Sequence, residues 1–190
     1  IILGGIGFAV MYDVVHKVQV EIKNLFAKNK KTVFLLPLNT QIVLAMTAGA
    51  LFLSFSAFYL LEHTHTMKDF SLTEQYLGAF FQAVTLRTAG FSTVSFASLT
   101  NATLLMMIFV MFAGGASGST AGGVKLNTVA VVFAFFRSFL KNDRTVVIKK
   151  MSVPDEQVKK AFLIFGFGLS IVCAAVFVLT ITESLPFLPM

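Results

Sequence analysis

A single cysteine, Cys173, stands within an apolar run, so no disulfide framework is possible and the residue reads as packing. Charge is sparse. Only 13% of the residues are charged while 56% are apolar, and no soluble domain hides that much apolar side chain in one core. Acidic residues number 9 against 15 basic ones, and in such a chain a basic excess reports orientation in a membrane, not nucleic-acid binding. No nucleophile paired with a base and no carboxylate dyad is present, which excludes an enzyme. His63 and His65 form an isolated HxH with no further ligand, so they read as solvated and no protein metal centre is expected. Glycine and serine precede Lys125, but Val124 separates Gly123 from that lysine and Leu126 follows it, so the spacing of a phosphate-binding loop is missing. The charged start of a signal peptide is also missing: the chain opens at Ile1 in mid-run and stops at "ESLPFLPM", and so reads as a piece of a longer one.

Long apolar runs remain, several near the roughly 20 residues that a helix needs to cross about 30 Å of hydrocarbon. The expected class is an all-α integral membrane protein. Lys17, Lys23, Lys28, Lys30 and Lys31 fill one gap between runs, and Arg137, Lys141, Arg144, Lys149, Lys150, Lys159 and Lys160 fill another. Residues 17–31 and 137–160 are therefore expected on the cytoplasmic side of a multi-pass cell-membrane protein. "LEHTHTMKDFSLTE" sets Glu62, Asp69 and Glu74 against Lys68, and Glu183 follows the last run, which places these residues outside. Those carboxylates are expected to concentrate cations at an outer mouth, modestly, because salt screens charge over about 8 Å. The path then runs inward over 1–16, outward over 41–61, inward over 101–137 and outward over 161–182.

That path closes only if residues 75–98 do not cross. "EQYLGAFFQAVTLRTAGFSTVSF" offers helix-compatible sequence from Glu74 to Leu86, then a polar return. Such a helix reaches little past half the bilayer. Tyr76, Phe80, Phe81 and Val84 on it read as packing residues. Backbone in the return has no helical partner, and at membrane depth it is tolerable only where it lines water or replaces it around an ion. The segment predicts a re-entrant pore loop.

A second irregularity lies in "FVMFAGGASGSTAGGVKLN", Phe109 to Asn127. The apolar run from Thr103 to Phe136 would be about 50 Å long as one helix, too long for a simple span. Each of its central glycines costs about 1 kcal/mol relative to Ala in a helix, and Ser117, Ser119 and Thr120 compete for backbone hydrogen bonds. A break facing protein or a wet cavity is the cheaper outcome. Gly114, Gly118 and Gly122 also fit the four-residue spacing of close helix packing, a rival reading.

"TLRTAGFST", followed by an inward helix broken at "GGASGSTAGGVK", resembles the third repeat of the membrane subunit of Ktr-type potassium uptake systems, in the Trk/Ktr/HKT superfamily. The resemblance extends to "GGIGFAVMYDV" as the end of the preceding repeat. It implies potassium-channel-like units of helix, pore loop and helix: 1–20 ending an inner helix, 21–40 a cytoplasmic linker, 41–137 a complete repeat, 138–160 a cytoplasmic loop and 161–190 opening the next repeat. It implies a backbone-carbonyl selectivity filter at Thr88, Ala89, Gly90, Phe91 and Ser92. Glycine permits the turned carbonyls, and a Cβ at Gly90 would distort or narrow the ring. It also implies an intramembrane gating loop of Gly114, Gly115, Ala116, Ser117, Gly118, Ser119, Thr120, Ala121, Gly122, Gly123 and Lys125. Lys125 either tethers that loop or snorkels toward the cytoplasm. Arg87 is expected behind the filter, anchored on a carboxylate or on carbonyl ends.

The function so implied is potassium transport, with sodium passage left open because the turn has one glycine where tetrameric channels carry TVGYG. The implied partners are the remaining repeats of the same chain, a second copy in a homodimer, the lipid bilayer, and a cytosolic ring of regulatory subunits that alone would carry nucleotide. Charge in "RSFLKNDRTVVIKKMSVPDEQVKK" by itself favours lipid contact. The alternative is a secondary transporter of another small solute, with a midplane site at the two irregular segments.

Overall fold

Apolar sequence with no water to satisfy its backbone must close its own hydrogen-bond ladder, and helices do so within the segment. The computed structural model describes residues 1–26, 33–143, 145–149 and 151–182. Lys28, Lys30, Lys31, Arg144, Lys150 and Glu183 lie outside the described residues, as do parts of the expected linker 21–40 and of the last segment.

The described helices are α1 Ile2–Ile6, α2 Phe8–Phe26, α3 Leu38–Glu62, α4 Leu72–Thr85, α5 Asn101–Phe112, α6 Leu126–Leu140 and α7 Asp155–Thr182. Between α6 and α7 lies a small antiparallel hairpin, β1 Val147–Ile148 and β2 Met151–Ser152, with Val147 opposite Ser152. That hairpin is absent from the sequence expectations. Helix α7 begins one residue after Pro154, in line with the expected start at Val153-Pro154-Asp155-Glu156.

Helices α3, of 25 residues, and α7, of 28, are each long and apolar enough to cross a membrane. Helix α4 is not: its 14 residues span about 21 Å. It starts two residues before the expected Glu74 because Ser71 caps it. The Ser71 hydroxyl accepts from the Glu74 amide, and the Glu74 carboxylate accepts from the Ser71 amide at 2.9 Å. Such a box contributes about 1 kcal/mol. The same Ser71 amide and hydroxyl hold the Glu74 carboxyl below its ordinary range.

Two clusters fix α4 and the broken helix in place. Phe58 of α3, Met67, Ala79 and Leu86 around α4, and Met107 of α5 form the first. Tyr76 of α4 stacks on Tyr59 of α3 with ring centroids 4.8 Å apart, so it packs as expected. The second joins Val10 of α2, Val43 of α3 and Ala116 from the segment between α5 and α6. Phe135 of α6 meets Phe162 of α7 edge to face at 4.8 Å.

Two expectations change. Glu62 is buried, not displayed at an outer mouth. Its carboxylate accepts from the Thr66 hydroxyl at 2.6 Å, the Thr100 amide and hydroxyl at 2.9 Å each, and the Thr103 hydroxyl at 2.5 Å. The start of α5 presents unpaired donors, and the last residue of α3 is the acceptor that meets them. Asp69 and Glu74 are exposed, as expected. Cys173, expected as a packing residue, is exposed on α7, whose buried positions are Val158 and Ala161 near its start.

Candidate functional site

The end of α4 turns because Thr88 adopts φ 62 and Gly90 φ 78, both in the left-handed region. Gly90 suits that conformation without strain. Apart from its two chain neighbours, no atom of the described residues lies within 4 Å of a Cβ built on Gly90, so within this chain it is backbone conformation that favours glycine here. Side chains of α4 brace the far half of the turn. The Thr85 hydroxyl donates to the Phe91 carbonyl at 2.8 Å and accepts from the Phe91 amide at 3.1 Å. The Gln82 amide group donates to the Ser92 hydroxyl at 3.0 Å, and that hydroxyl donates to the Val94 carbonyl at 2.5 Å.

These bonds divide the five expected filter positions. Phe91 has its carbonyl turned back to Thr85, and Ser92 spends its hydroxyl within the turn. Among the described residues, no donor reaches the carbonyls of Thr88, Ala89 or Gly90. Thr88 and Gly90 are exposed and Ala89 is partly so, which leaves three consecutive carbonyl groups without a donor among the described residues in an accessible turn. Unclaimed carbonyls at the C-terminal end of a helix favour a cation.

Residues 113–125 leave helical geometry altogether, which overturns the rival reading of Gly114, Gly118 and Gly122 as a packing stripe on an intact helix. The base of the loop zips through the Val124 amide to the Phe112 carbonyl at 2.9 Å and the Gly114 amide to the Val124 carbonyl at 3.0 Å. A Cβ on Gly114 would fall on the Gly122 carbonyl, so the two strands of the loop approach only because that residue is glycine. The Gly115 carbonyl accepts from the Leu126 amide at 3.0 Å, continuing the closure into α6. The Lys125 ammonium donates to the Ala121 carbonyl at 2.7 Å, across the loop's own return. Gly114, Gly115, Ala116 and Ala121 are buried, while Ser117, Gly118, Thr120, Gly122 and Gly123 are exposed and Ser119 is partly buried.

The structure brings the turn and the loop together. The Gly122 amide donates to the Thr88 hydroxyl at 2.8 Å. Arg87 is buried, and its guanidinium donates to the Gly114 carbonyl at 3.4 Å, a carbonyl end as expected and not a carboxylate. Its Nε and Nη1 have no partner among the described residues.

Sequence reasoning missed the third wall of this site. Helix α1 ends at Gly7, φ 90, and its glycine backbone receives the loop. The Ala116 amide donates to the Gly5 carbonyl at 3.0 Å and the Thr120 amide to the Gly4 carbonyl at 3.2 Å, while the Phe8 amide donates to the Gly118 carbonyl at 3.4 Å. The cluster Gly4-Gly5-Ile6-Gly7 was the available signal, since small residues in an apolar helix permit close backbone approach.

With this geometry in view, similarity to known proteins has a structural meaning. The TrkH family of cation transport proteins matches residues 1–187. The Ktr system potassium uptake protein B of Bacillus subtilis (strain 168) is 33% identical over 189 residues, covering 98% of this chain and 40% of that protein. The Ktr system potassium uptake protein B of Vibrio alginolyticus is 35% identical over 188 residues, with 98% and 39% coverage. The potassium/sodium uptake protein NtpJ of Enterococcus hirae is 30% identical over 187 residues, with 98% and 39% coverage. The crystal structure of the potassium transporter TrkH from Vibrio parahaemolyticus aligns with a TM-score of 0.54 at 27% identity, over 71% of this chain and 29% of that one. The chain thus spans about two fifths of the length of the relatives it matches. These relatives are transport proteins and not enzymes, and the half-length helix followed by a broken one sits within the matched region. The chain belongs to the TrkH family of cation transport proteins.

Proposed function

We propose that this chain supplies one quarter of the wall of a potassium pathway and the loop that obstructs it. The observation that carries the reading is the run of three unclaimed carbonyls at Thr88, Ala89 and Gly90, turned open by two left-handed residues directly against the loop. Carbonyl dipoles replace the water of a dehydrated cation when their number and field suit it. Phe91 and Ser92 brace that ladder through Thr85 and Gln82. Residues 114–123 with Lys125 form the gate: the loop is closed on itself, fixed to α1 and bonded to the turn, so it blocks the path until it is displaced.

In this reading residues 41–137 make one complete repeat and the remaining repeats complete the ring. The protein is multi-pass in the cell membrane with residues 17–31 and 137–160 on the cytoplasmic side. A homodimer on a ring of nucleotide-binding regulatory subunits is the assembly that the Ktr resemblance implies. Sodium stays within the transported set because the ladder offers few sites, and one relative is named as a potassium/sodium uptake protein.

The test is rubidium uptake into liposomes by the full-length protein and by Gly90→Ser. A serine at φ 78 is strained, so uptake falls or discrimination against sodium relaxes. Unchanged uptake and discrimination would remove Gly90 from the filter.

A further inference from the structure

Thr88 is the least comfortable residue of the turn. A β-branched side chain at φ 62 is an outlier, and such backbone persists only where its surroundings over-determine it. The residue's own carbonyl and the two that follow are the unclaimed ones. What holds its side chain belongs to the loop: the Gly122 amide sits 2.8 Å from the hydroxyl, and a Cβ built on Gly122 would meet the Thr88 Cγ2 at 3.7 Å. Next to it, the buried Arg87 holds the Gly114 carbonyl at the opposite end of the same loop. Both ends of the loop are therefore bonded to consecutive residues of the turn. A loop that moves cannot keep these bonds, and Thr88 then loses the donor that fixes its left-handed conformation.

We propose that the Thr88 side chain is a specificity-determining strut: bonded to Gly122 of the closed loop, its hydroxyl fixes the carbonyl ladder in the shape that favours a large monovalent cation. The inference rests on the reading of that ladder as a filter and adds a role for a side chain where the filter itself uses backbone. Displacement of the loop frees Thr88 to relax, which turns its carbonyl and that of Ala89 and weakens ion binding as the path opens. Linkage makes the coupling reciprocal: an ion bound in the ladder steadies the closed loop, and a closed loop tightens the ion. Thr88 is a positioning residue in this scheme, acting on the ion through the orientation of its neighbours.

The test uses the purified full-length protein, with rubidium and sodium as probes, and reads equilibrium binding and basal flux together. Thr88→Val removes the hydroxyl and keeps the shape. Rubidium affinity falls about tenfold, the worth of one hydrogen bond, with little change for sodium, and basal flux rises. Thr88→Ser keeps the hydroxyl and recovers affinity and closure. If Thr88→Val does not accumulate as folded protein, Thr88→Ala tests the same bond with a smaller side chain. Wild-type selectivity and flux in the variant lacking the hydroxyl would overturn the proposal, as would a Thr88→Ser protein that behaves like Thr88→Val. Failure of the unaltered protein to bind or pass rubidium would instead overturn the filter reading beneath it.

Discussion

Arg87 places its Nη2 3.4 Å from the carbonyl oxygen of Gly114, so a buried guanidinium at the base of the turn after α4 holds the first glycine of the loop. In the proposed pathway the bond gives the positive charge a use other than repelling a passing ion, and, being long at 3.4 Å, it contributes about 1.5 kcal/mol, the low end for a charged group. Arg87→Met keeps length and removes both charge and bond. The closed loop loosens by roughly tenfold or more, read as rubidium leak from liposomes in the absence of activation. Arg87→Lys retains charge without the planar fork and falls between the two. A tight Arg87→Met protein would show that the guanidinium plays no part in holding the loop.

Lys125 closes the loop on itself through the Ala121 carbonyl at 2.7 Å. The side chain is partly buried, and the bond spans the loop's return to α6. Lys125→Met is expected to raise basal rubidium flux several-fold at unchanged selectivity, since its bond runs to Ala121 and not to the turn at 88–90. A flux equal to that of the unaltered protein, with unaltered salt dependence, would assign the lysine to the cytoplasmic interface alone.

Glu62 carries stability, not ion attraction. It accepts from Thr66, Thr100 and Thr103 at the junction of α3 and α5, and replacing it weakens the acceptor that the buried Thr103 hydroxyl and the start of α5 depend on. Glu62→Gln is expected to cost about 3 kcal/mol, read as a lower thermal midpoint of the detergent-solubilised protein, with ion selectivity retained in the folded fraction. A role at the outer mouth predicts the reverse, unchanged stability with a slower, salt-dependent uptake.

Much of this arrangement was legible in the residues. A half-length helix before a polar return, and an apolar run interrupted by glycine and serine, follow from element length and backbone propensity, which are local properties. The break between Phe112 and Leu126 belongs to the same class; the cap at Ser71 is equally local, yet the reading that began the helix at Glu74 missed it. What escaped depends on which segments meet in space. Glu62 reads as one more outer acid until α5 delivers Thr100 and Thr103 to it, 38 and 41 positions away. Thr88 reads as a backbone contributor until Gly122, 34 positions on, offers its amide. The carbonyls of Gly4 and Gly5 became partners of the loop only because the preceding helix ends against it. No periodicity in the chain encodes these meetings.

The central claim places a dehydrated cation against the carbonyls of Thr88, Ala89 and Gly90, above the loop. Anomalous diffraction from crystals of the full-length protein grown in rubidium tests it most directly. The account predicts a rubidium peak on the axis beside those three carbonyls, weakened when sodium replaces rubidium and lost in Gly90→Ser. A fully occupied rubidium site elsewhere in the membrane region, with none beside this turn, would contradict it.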